Sequence, residues 1–158
     1  MKIAFASDHA GYDMKLALKA RAAELGHDVV DLGTDSPASV DYPDYGGALG
    51  RAVASGEADR GVAVCGTGLG IGMAAGKVAG VRAATCHDHF TAEMCRRHND
   101  ANVIALGARV VGAGVAMEAM ETFLQTGFDG GRHAARVAKI DALDGAGTAR
   151  TDTRPEAP

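Results

Sequence analysis

The stretch VAVCGTGLGIG, residues 62–72, decides the fold class of this chain. Its four leading residues, Val62 to Cys65, are apolar and predict a short buried strand. The glycines that follow predict a tight turn that leads into a helix over residues 71–78. A buried strand that turns directly into a helix is the repeating unit of parallel sheets covered by helices.

The same pattern recurs on both sides of this stretch. Apolar runs predict four further strands at residues 3–6, 29–32, 81–85 and 103–106. Helical patterns predict helices over residues 12–25, 43–55, 88–97, 114–125 and 133–143. Gly26 is a helix stop signal, and Pro43 suits the first turn of a helix. The chain is therefore expected to have an α/β fold, a Rossmann-like three-layer α/β/α sandwich with a five-stranded parallel sheet.

Length, net charge and cysteine content exclude several classes of protein. The 158 residues suggest one domain over residues 1–144, followed by a tail, 145–158, that lacks apolar periodicity and is expected to be mobile. A net charge of −4 argues against non-specific binding of nucleic acid. The sequence contains neither an apolar run that would span a membrane nor a signal-peptide pattern. Three cysteines without disulfide-framework spacing predict a cytoplasmic protein.

The glycine-rich turn is the strongest functional signal. Ligands of such sheets bind beyond the carboxyl ends of the strands, where this turn is expected. Its amides, together with the start of a helix, favour a small anion or a developing oxyanion. The Gly-x-Gly-x-Gly-x-Gly spacing matches neither the dinucleotide fingerprint nor a P-loop. A turn whose glycines serve packing alone is the alternative.

Two further groups follow the first and third strands. Cys65, at the end of a strand and before a helix, is placed to form a thiolate that abstracts a carbon-bound proton, or is simply a small buried side chain. His9 is a candidate for binding a hydroxyl or a phosphate. Asp8 is a candidate for orienting hydroxyls, but the residues alone favour a helix cap.

Basic residues form the third group of candidates. His98, before Asn99, is a candidate acid or base, or a favourable histidine at a helix end with Asn99 as the stop. Arg132 and Arg136 are four residues apart and are expected on one helical face, where they would grip a phosphate or form a solvated basic surface. Arg109 is a third candidate. Segment 86–89, with Cys95 and His98, carries metal-type donors, but their spacing matches no standard zinc pattern.

Six motifs occur in chain order: DHAG at 8–11, DYP at 41–43, CGTGLG at 65–70, HND at 98–100, GARVVG at 107–112 and GGRHAARV at 130–137. Together they resemble the type B ribose-5-phosphate isomerases, a family that also includes galactose-6-phosphate and allose-6-phosphate isomerases. The likeness runs from Lys2 to about Leu143.

The resemblance implies an aldose–ketose isomerase without cofactor or metal, acting through an enediolate. It implies a homodimer, or a tetramer of such dimers, with active sites between subunits. Cys65 would move the proton between carbons 1 and 2, Thr67 and the loop amides would stabilise the enediolate, and His98 would open the sugar ring. Substrate-binding roles would fall to Asp8, His9, Tyr42, Gly66, Gly68, Gly70, Asn99, Arg109, Arg132 and Arg136.

Two details place the chain within that family. Some members carry the base on a glutamate after the glycine loop, whereas this chain has Cys65 and no acid there, which implies the cysteine branch. Gly76 stands where the family usually has asparagine.

The leading substrate is ribose 5-phosphate of pentose phosphate metabolism. The alternatives are a six-carbon sugar 6-phosphate, such as allose 6-phosphate, and a non-catalytic phosphate- or nucleotide-binding module.

Overall fold

Strands and helices alternate along the chain. The computed structural model describes residues 1–144, so the predicted mobile tail, 145–158, lies outside the described residues. The strands are β1 Lys2–Ser7, β2 Asp28–Asp31, β3 Arg60–Cys65, β4 Ala83–Thr85 and β5 Val103–Gly107. The helices are α1 Tyr12–Glu24, α2 Tyr42–Ala54, α3 Leu69–Ala75, α4 His89–Asn99, α5 Ala113–Gln125 and α6 Ala134–Asp141. Short 3-10 helices span His9–Gly11 and Gly131–His133.

The strands form one sheet in the order β2-β1-β3-β5-β4, and every neighbouring pair is parallel. One face packs against α1, α4 and α5, with Leu18 and Phe123 in that core. The other face packs against α2 and α3, with Leu49 and Ile71 in that core. The predicted three-layer α/β/α sandwich is confirmed. None of the helices over residues 1–144 is long and apolar enough to cross a membrane.

The order of the strands locates a crevice. From β1 the chain moves outward to β2 and then returns to place β3 on the opposite side of β1. The helices that follow β1 and β3 therefore lie on opposite faces of the sheet. Such a switch point opens a crevice at the carboxyl ends of the two strands. The loops after Ser7 and Cys65 meet there.

The boundaries of α3, β4 and α4 differ from those predicted. α3 begins two residues early, at Leu69, because Gly68 adopts a left-handed conformation (φ 79°) that turns the chain directly into the helix. The same helix ends at Ala75, before Gly76. Strand β4 is shorter than predicted and begins at Ala83. Asn99 is not the stop of α4, since it is the last helical residue and Asp100 (φ 46°) ends the helix.

Arginines hold the left-handed conformation at Asp100. Arg82 binds one carboxylate oxygen at 2.8 Å, and Arg96 binds the other at 2.9 Å. Arg96 is buried and also donates to the carbonyl of Ala101. The ion pairs of Asp100 with Arg82 and Arg96 compensate for the free-energy cost of left-handed backbone at a non-glycine residue. It anchors the end of α4, where His98 and Asn99 lie.

Candidate active site

A cavity of about 350 Å³ lies in the crevice between β1 and β3. Residues after β1, after β3, at the start of α2 and after β5 line it. The lining residues are Asp8, His9, Ala10, Tyr42, Cys65, Gly66, Thr67, Gly70 and Arg109. Most of the candidates chosen from the first part of the chain therefore meet in one place.

Cys65 lies at the bottom of this cavity and is only 4% exposed. The backbone amide of Gly68 donates to its Sγ at 3.2 Å. The turn therefore places a backbone donor directly against the sulfur. Both hypotheses for Cys65, a proton-abstracting thiolate and a small buried side chain, are compatible with this position.

The turn after Cys65 depends on glycine at two positions. A Cβ on Gly68 would come within 2.9 Å of the Leu106 backbone, in addition to the strain of its positive φ. A Cβ on Gly70 would lie 2.7 Å from the ring of Tyr42. Glycine therefore lets β5 approach the turn and lets the Tyr42 ring lie across it. Both glycines therefore serve close packing of the turn, and Gly70 also lines the cavity.

Asp8 caps a helix, which is the role that the sequence alone favoured. Its Oδ1 accepts from the amides of Ala10 and Gly11, at 2.9 and 3.1 Å, and so caps the 3-10 helix after β1. The cap holds the backbone of His9 at the cavity wall. The carboxylate also lines the cavity, so the capping and substrate-binding hypotheses are compatible.

Arg109 brings a positive charge to the same cavity. Its amide bonds to the carbonyl of Gly66 at 2.9 Å, which ties the loop after β5 to the loop after β3. Its side chain passes close to Gly66, whose ideal Cβ would be 3.5 Å away. His9 and Arg109 together make this cavity suitable for an anionic ligand.

The remaining candidates lie elsewhere on the chain. Asn99 lines a separate cavity of about 390 Å³ beside Arg82 and Ile140. Arg132 lies in the 3-10 helix that runs directly into α6, and Arg136 lies on α6 itself, so that both project from one helical face stays a prediction. The 3-10 helix begins at Gly131, and both Gly130 and Gly131 have a positive φ. None of His98, Arg132 and Arg136 lines the Cys65 cavity.

His98 stacks on His133, a contact that the motif analysis did not foresee. The two rings are parallel to within 4° and their centroids are 4.2 Å apart. Arg132 donates to Nε2 of His133 at 3.4 Å. His133 belongs to the 130–137 motif, but nothing in the sequence pattern indicated that the 3-10 helix before α6 would contact α4.

His98, Asp129 and His133 form the one group over residues 1–144 whose metal-ligating atoms all lie within 4.8 Å of one another. Their arrangement does not suit a metal. The ring lone pairs lie in parallel planes and do not converge, and Arg97 already binds Asp129 at 3.1 Å. The donors of segment 86–89 are outside this group, and Asp88 instead caps α4 through the amide of Thr91.

Protonation of His133 opposes folding. Burial, followed by the charges of His98, Arg132 and Arg136, lowers the pKa of His133 below its usual 6.5, against a smaller opposing effect of Asp129. The unfolded chain then binds this proton more readily than the folded one. The neutral ring of His133 makes its full contribution to the free energy of unfolding above pH 6.5, and this contribution is lost as the pH falls below that value.

We expect the free energy of unfolding, measured with urea, to fall between pH 7.5 and pH 5. His133→Asn should flatten this dependence, because it removes the group that must take up a proton. His27→Asn is the matched control, since His27 is half-buried between α1 and β2, far from this stack in the sequence. An unchanged pH dependence in His133→Asn would contradict the assignment.

Comparison with known proteins agrees with this geometry. Residues 3–140 match the ribose/galactose isomerase family. The chain belongs to that family. The match covers every element described above, apart from the ends of the first strand and the last helix.

Individual members of the ribose/galactose isomerase family are similar over nearly their whole length. Ribose-5-phosphate isomerase B of Escherichia coli is 45% identical over 143 residues, covering 90% of this chain and 96% of the relative. The solved structure of the Clostridium thermocellum enzyme of that name has 51% identity and a TM-score of 0.89, covering 90% of this chain and 97% of that one. D-erythrulose-4-phosphate isomerase of Pectobacterium atrosepticum is 40% identical over 141 residues, 89% and 93% of the two chains. The predicted family, fold and enzyme class, a sugar phosphate isomerase, are confirmed.

Proposed function

We propose that this isomerase interconverts D-ribose 5-phosphate and D-ribulose 5-phosphate, with Cys65 as the base. The observation that carries the proposal is the amide of Gly68 directed at Sγ of Cys65, inside a cavity that also holds Arg109 and His9. The names of the relatives from E. coli and C. thermocellum support the substrate. Neither a cofactor nor a metal is needed.

The chemistry moves one proton between two carbons. The thiolate of Cys65 takes the proton from carbon 2 of the open-chain aldose, and the electron pair moves onto the carbonyl to form an enediolate. The hydroxyl proton on the oxygen of carbon 2 moves to the oxygen of carbon 1, and return of the abstracted proton to carbon 1 then gives the ketose. Amides of the turn at residues 66–70, with the hydroxyl of Thr67, stabilise the negative oxygen of the intermediate.

Substrate recognition follows from the lining of the cavity. His9 and Arg109 bind the phosphate, while Asp8 and Tyr42 contact hydroxyls of the sugar. His98 opens the sugar ring. The ring of His133 stacks on the His98 imidazole and fixes its plane.

A second copy of the chain completes the site. Cys65 and His98 lie in separate regions of one chain, and Asn99, Arg132 and Arg136 lie on the side of His98. A two-fold dimer would bring the α4–α6 region of one protomer to the Cys65 cavity of the other. We therefore propose a homodimer with active sites between subunits, which pairing of dimers would extend to a tetramer. The three free cysteines support a reducing cytoplasm as its location.

Turnover of a substrate panel tests the function. Ribose 5-phosphate, allose 6-phosphate and erythrulose 4-phosphate are compared, each with and without EDTA. We expect the highest kcat/KM with ribose 5-phosphate, unaffected by EDTA. A higher kcat/KM with erythrulose 4-phosphate, the sugar phosphate in the name of the P. atrosepticum relative, or with allose 6-phosphate would change the proposed substrate. The proposed type of reaction would stay the same. No turnover of any of them, with phosphate still bound, would favour a binding module.

Mixed dimers test the shared site. Cys65→Ala and His98→Ala are each expected to be nearly inactive alone. Refolded together in equal amounts, they should recover about a quarter of wild-type activity, because half of the dimers are mixed and each has one intact site of two. Cys65→Ala refolded with Thr67→Val is the control. Both changes lie in the same cavity, so activity should stay at the sum of the two variants.

Recovery with the control pair, or none with the first pair, would contradict a site shared between subunits. Size-exclusion chromatography of each variant shows separately whether dimers form. Loss of dimers in a variant would be visible there and would not be mistaken for a failure to complement.

A further inference from the structure

The ring of His9 is held from a distant part of the chain. Its Nδ1 accepts from the backbone amide of Val40 at 3.2 Å, across 31 residues of sequence. His9 lines the Cys65 cavity, whereas Val40 belongs to the loop between β2 and α2. No motif in the sequence indicated this contact, because it is made by a backbone group.

The loop that carries Val40 is fixed at both ends. At its start, the fully buried Lys15 donates to the carbonyl of Thr34 at 2.6 Å and to Asp31 at 2.8 Å. Burial raises the pKa of Asp31, but hydrogen bonds from Lys15, Lys19 and the Gly33 amide outweigh it and lower that pKa. The Thr34 amide also bonds to the carbonyl of Ser7.

At its other end the loop runs into α2, which begins at Tyr42. The Val40 amide therefore has little freedom to move away from the His9 ring. A donor held in this way acts as a fixed constraint on the imidazole rather than as an incidental contact.

An accepting Nδ1 carries no proton, so the neutral ring carries its proton on Nε2. The opposite tautomer would place two N–H groups face to face at Val40. It would also turn a lone pair, not a donor, toward any anion in the cavity. The Val40 amide thus decides whether His9 attracts or repels a phosphate oxygen.

We propose that Val40 is a positioning residue, whose amide holds His9 in the Nε2–H form as a donor to the substrate phosphate. The inference rests on the proposed function for the identity of the substrate. Binding of inorganic phosphate, which needs no turnover, tests it separately.

Val40→Pro removes the amide proton and leaves an apolar residue, and it also fixes φ at that position. KM for ribose 5-phosphate should rise about 3- to 10-fold, the effect of losing one ordinary hydrogen bond, while kcat stays within about twofold. The inhibition constant of inorganic phosphate should rise by the same factor. Ser39→Pro, at the exposed neighbouring position, puts proline in the same loop and keeps the Val40 amide, so its constants should match those of the wild type.

A double-mutant cycle separates positioning from general damage to the loop. In a His9→Ala background, Val40→Pro should have no further effect on KM or on phosphate inhibition. An equal effect with and without His9 would overturn the proposal. So would an unchanged KM in Val40→Pro.

Nuclear magnetic resonance of the ¹⁵N-labelled wild type needs no variant, and so it remains decisive if Val40→Pro does not fold. The expected signature is an unprotonated Nδ1 of His9 with a scalar coupling across the hydrogen bond to the Val40 amide nitrogen. A protonated Nδ1 in the neutral ring would overturn the proposal. If this signature is present and Val40→Pro weakens phosphate binding but the wild type fails to turn over ribose 5-phosphate, only the proposed function fails.

Discussion

Replacing Cys65 with alanine should lower kcat for ribose 5-phosphate by about 10²- to 10⁴-fold, the usual contribution of a positioned base. The change removes the only group in the cavity that the proposed mechanism uses to take the carbon-bound proton. Binding of phosphate should persist, because His9 and Arg109 are untouched. Turnover is measured by formation of ribulose 5-phosphate, and binding by calorimetry.

Two further variants test whether the loss of activity is specific to the thiol of Cys65. Cys65→Ser keeps an acceptor for the Gly68 amide but replaces the thiolate with a weakly acidic hydroxyl, so its activity should also be lost. Cys86→Ala removes a buried thiol outside the cavity and should reduce stability without reducing kcat. Turnover that survives Cys65→Ala would leave the isomerase in place but assign the proton transfer to another group.

Gly68→Ala should be the most damaging change in the turn. Positive φ costs an L-residue about 1–2 kcal/mol. The new methyl would in addition lie 2.9 Å from the backbone of Leu106 at the end of β5. The turn must shift to relieve that contact, which displaces the amide that binds Cys65. We expect kcat to fall by about 10²-fold, the cost of losing one donor to a developing anion.

Gly76→Ala is the matched control for that change. Gly76 has a φ of −69°, and the nearest atom to an added Cβ is the Gly72 carbonyl oxygen at 3.4 Å. Alanine is compatible there and should raise the free energy of unfolding by about 0.4–1 kcal/mol through the unfolded chain. Thermal unfolding and kcat are measured for both variants. Equal loss of activity in both would mean that helix α3, not the turn, is the sensitive element.

Much of the fold was predictable because the signals are local. Apolar runs of four or five residues, interrupted by glycine and helical periodicity, identify β1, β3 and β5 to within two residues at either end. Boundaries were missed where a backbone conformation decides them. The left-handed φ of Gly68 starts α3 early, and ion pairs from Arg82 and Arg96 let Asp100, not Asn99, end α4.

The candidate site residues were likewise predictable where the sequence signal is local, and contacts between distant parts of the chain were not. Glycines, Cys65, Asp8 and His9 follow strands, so the rule that ligands bind at the carboxyl ends of parallel strands was enough to select them. It did not reveal the stacking of His98 on His133, because that contact joins two helices far apart in sequence. Nor did it reveal the amide of Val40, since a backbone donor has no residue type to recognise.

The sequence by itself determined the α/β class and the family and selected the candidate site residues, since these depend on local patterns and motif order. Only the tertiary structure decided how those residues are grouped. The strand order β2-β1-β3-β5-β4 brings Asp8, Cys65 and Arg109 to one cavity and leaves His98 outside it. Strand order depends on which surfaces pack together across the whole chain, and a local pattern does not encode it.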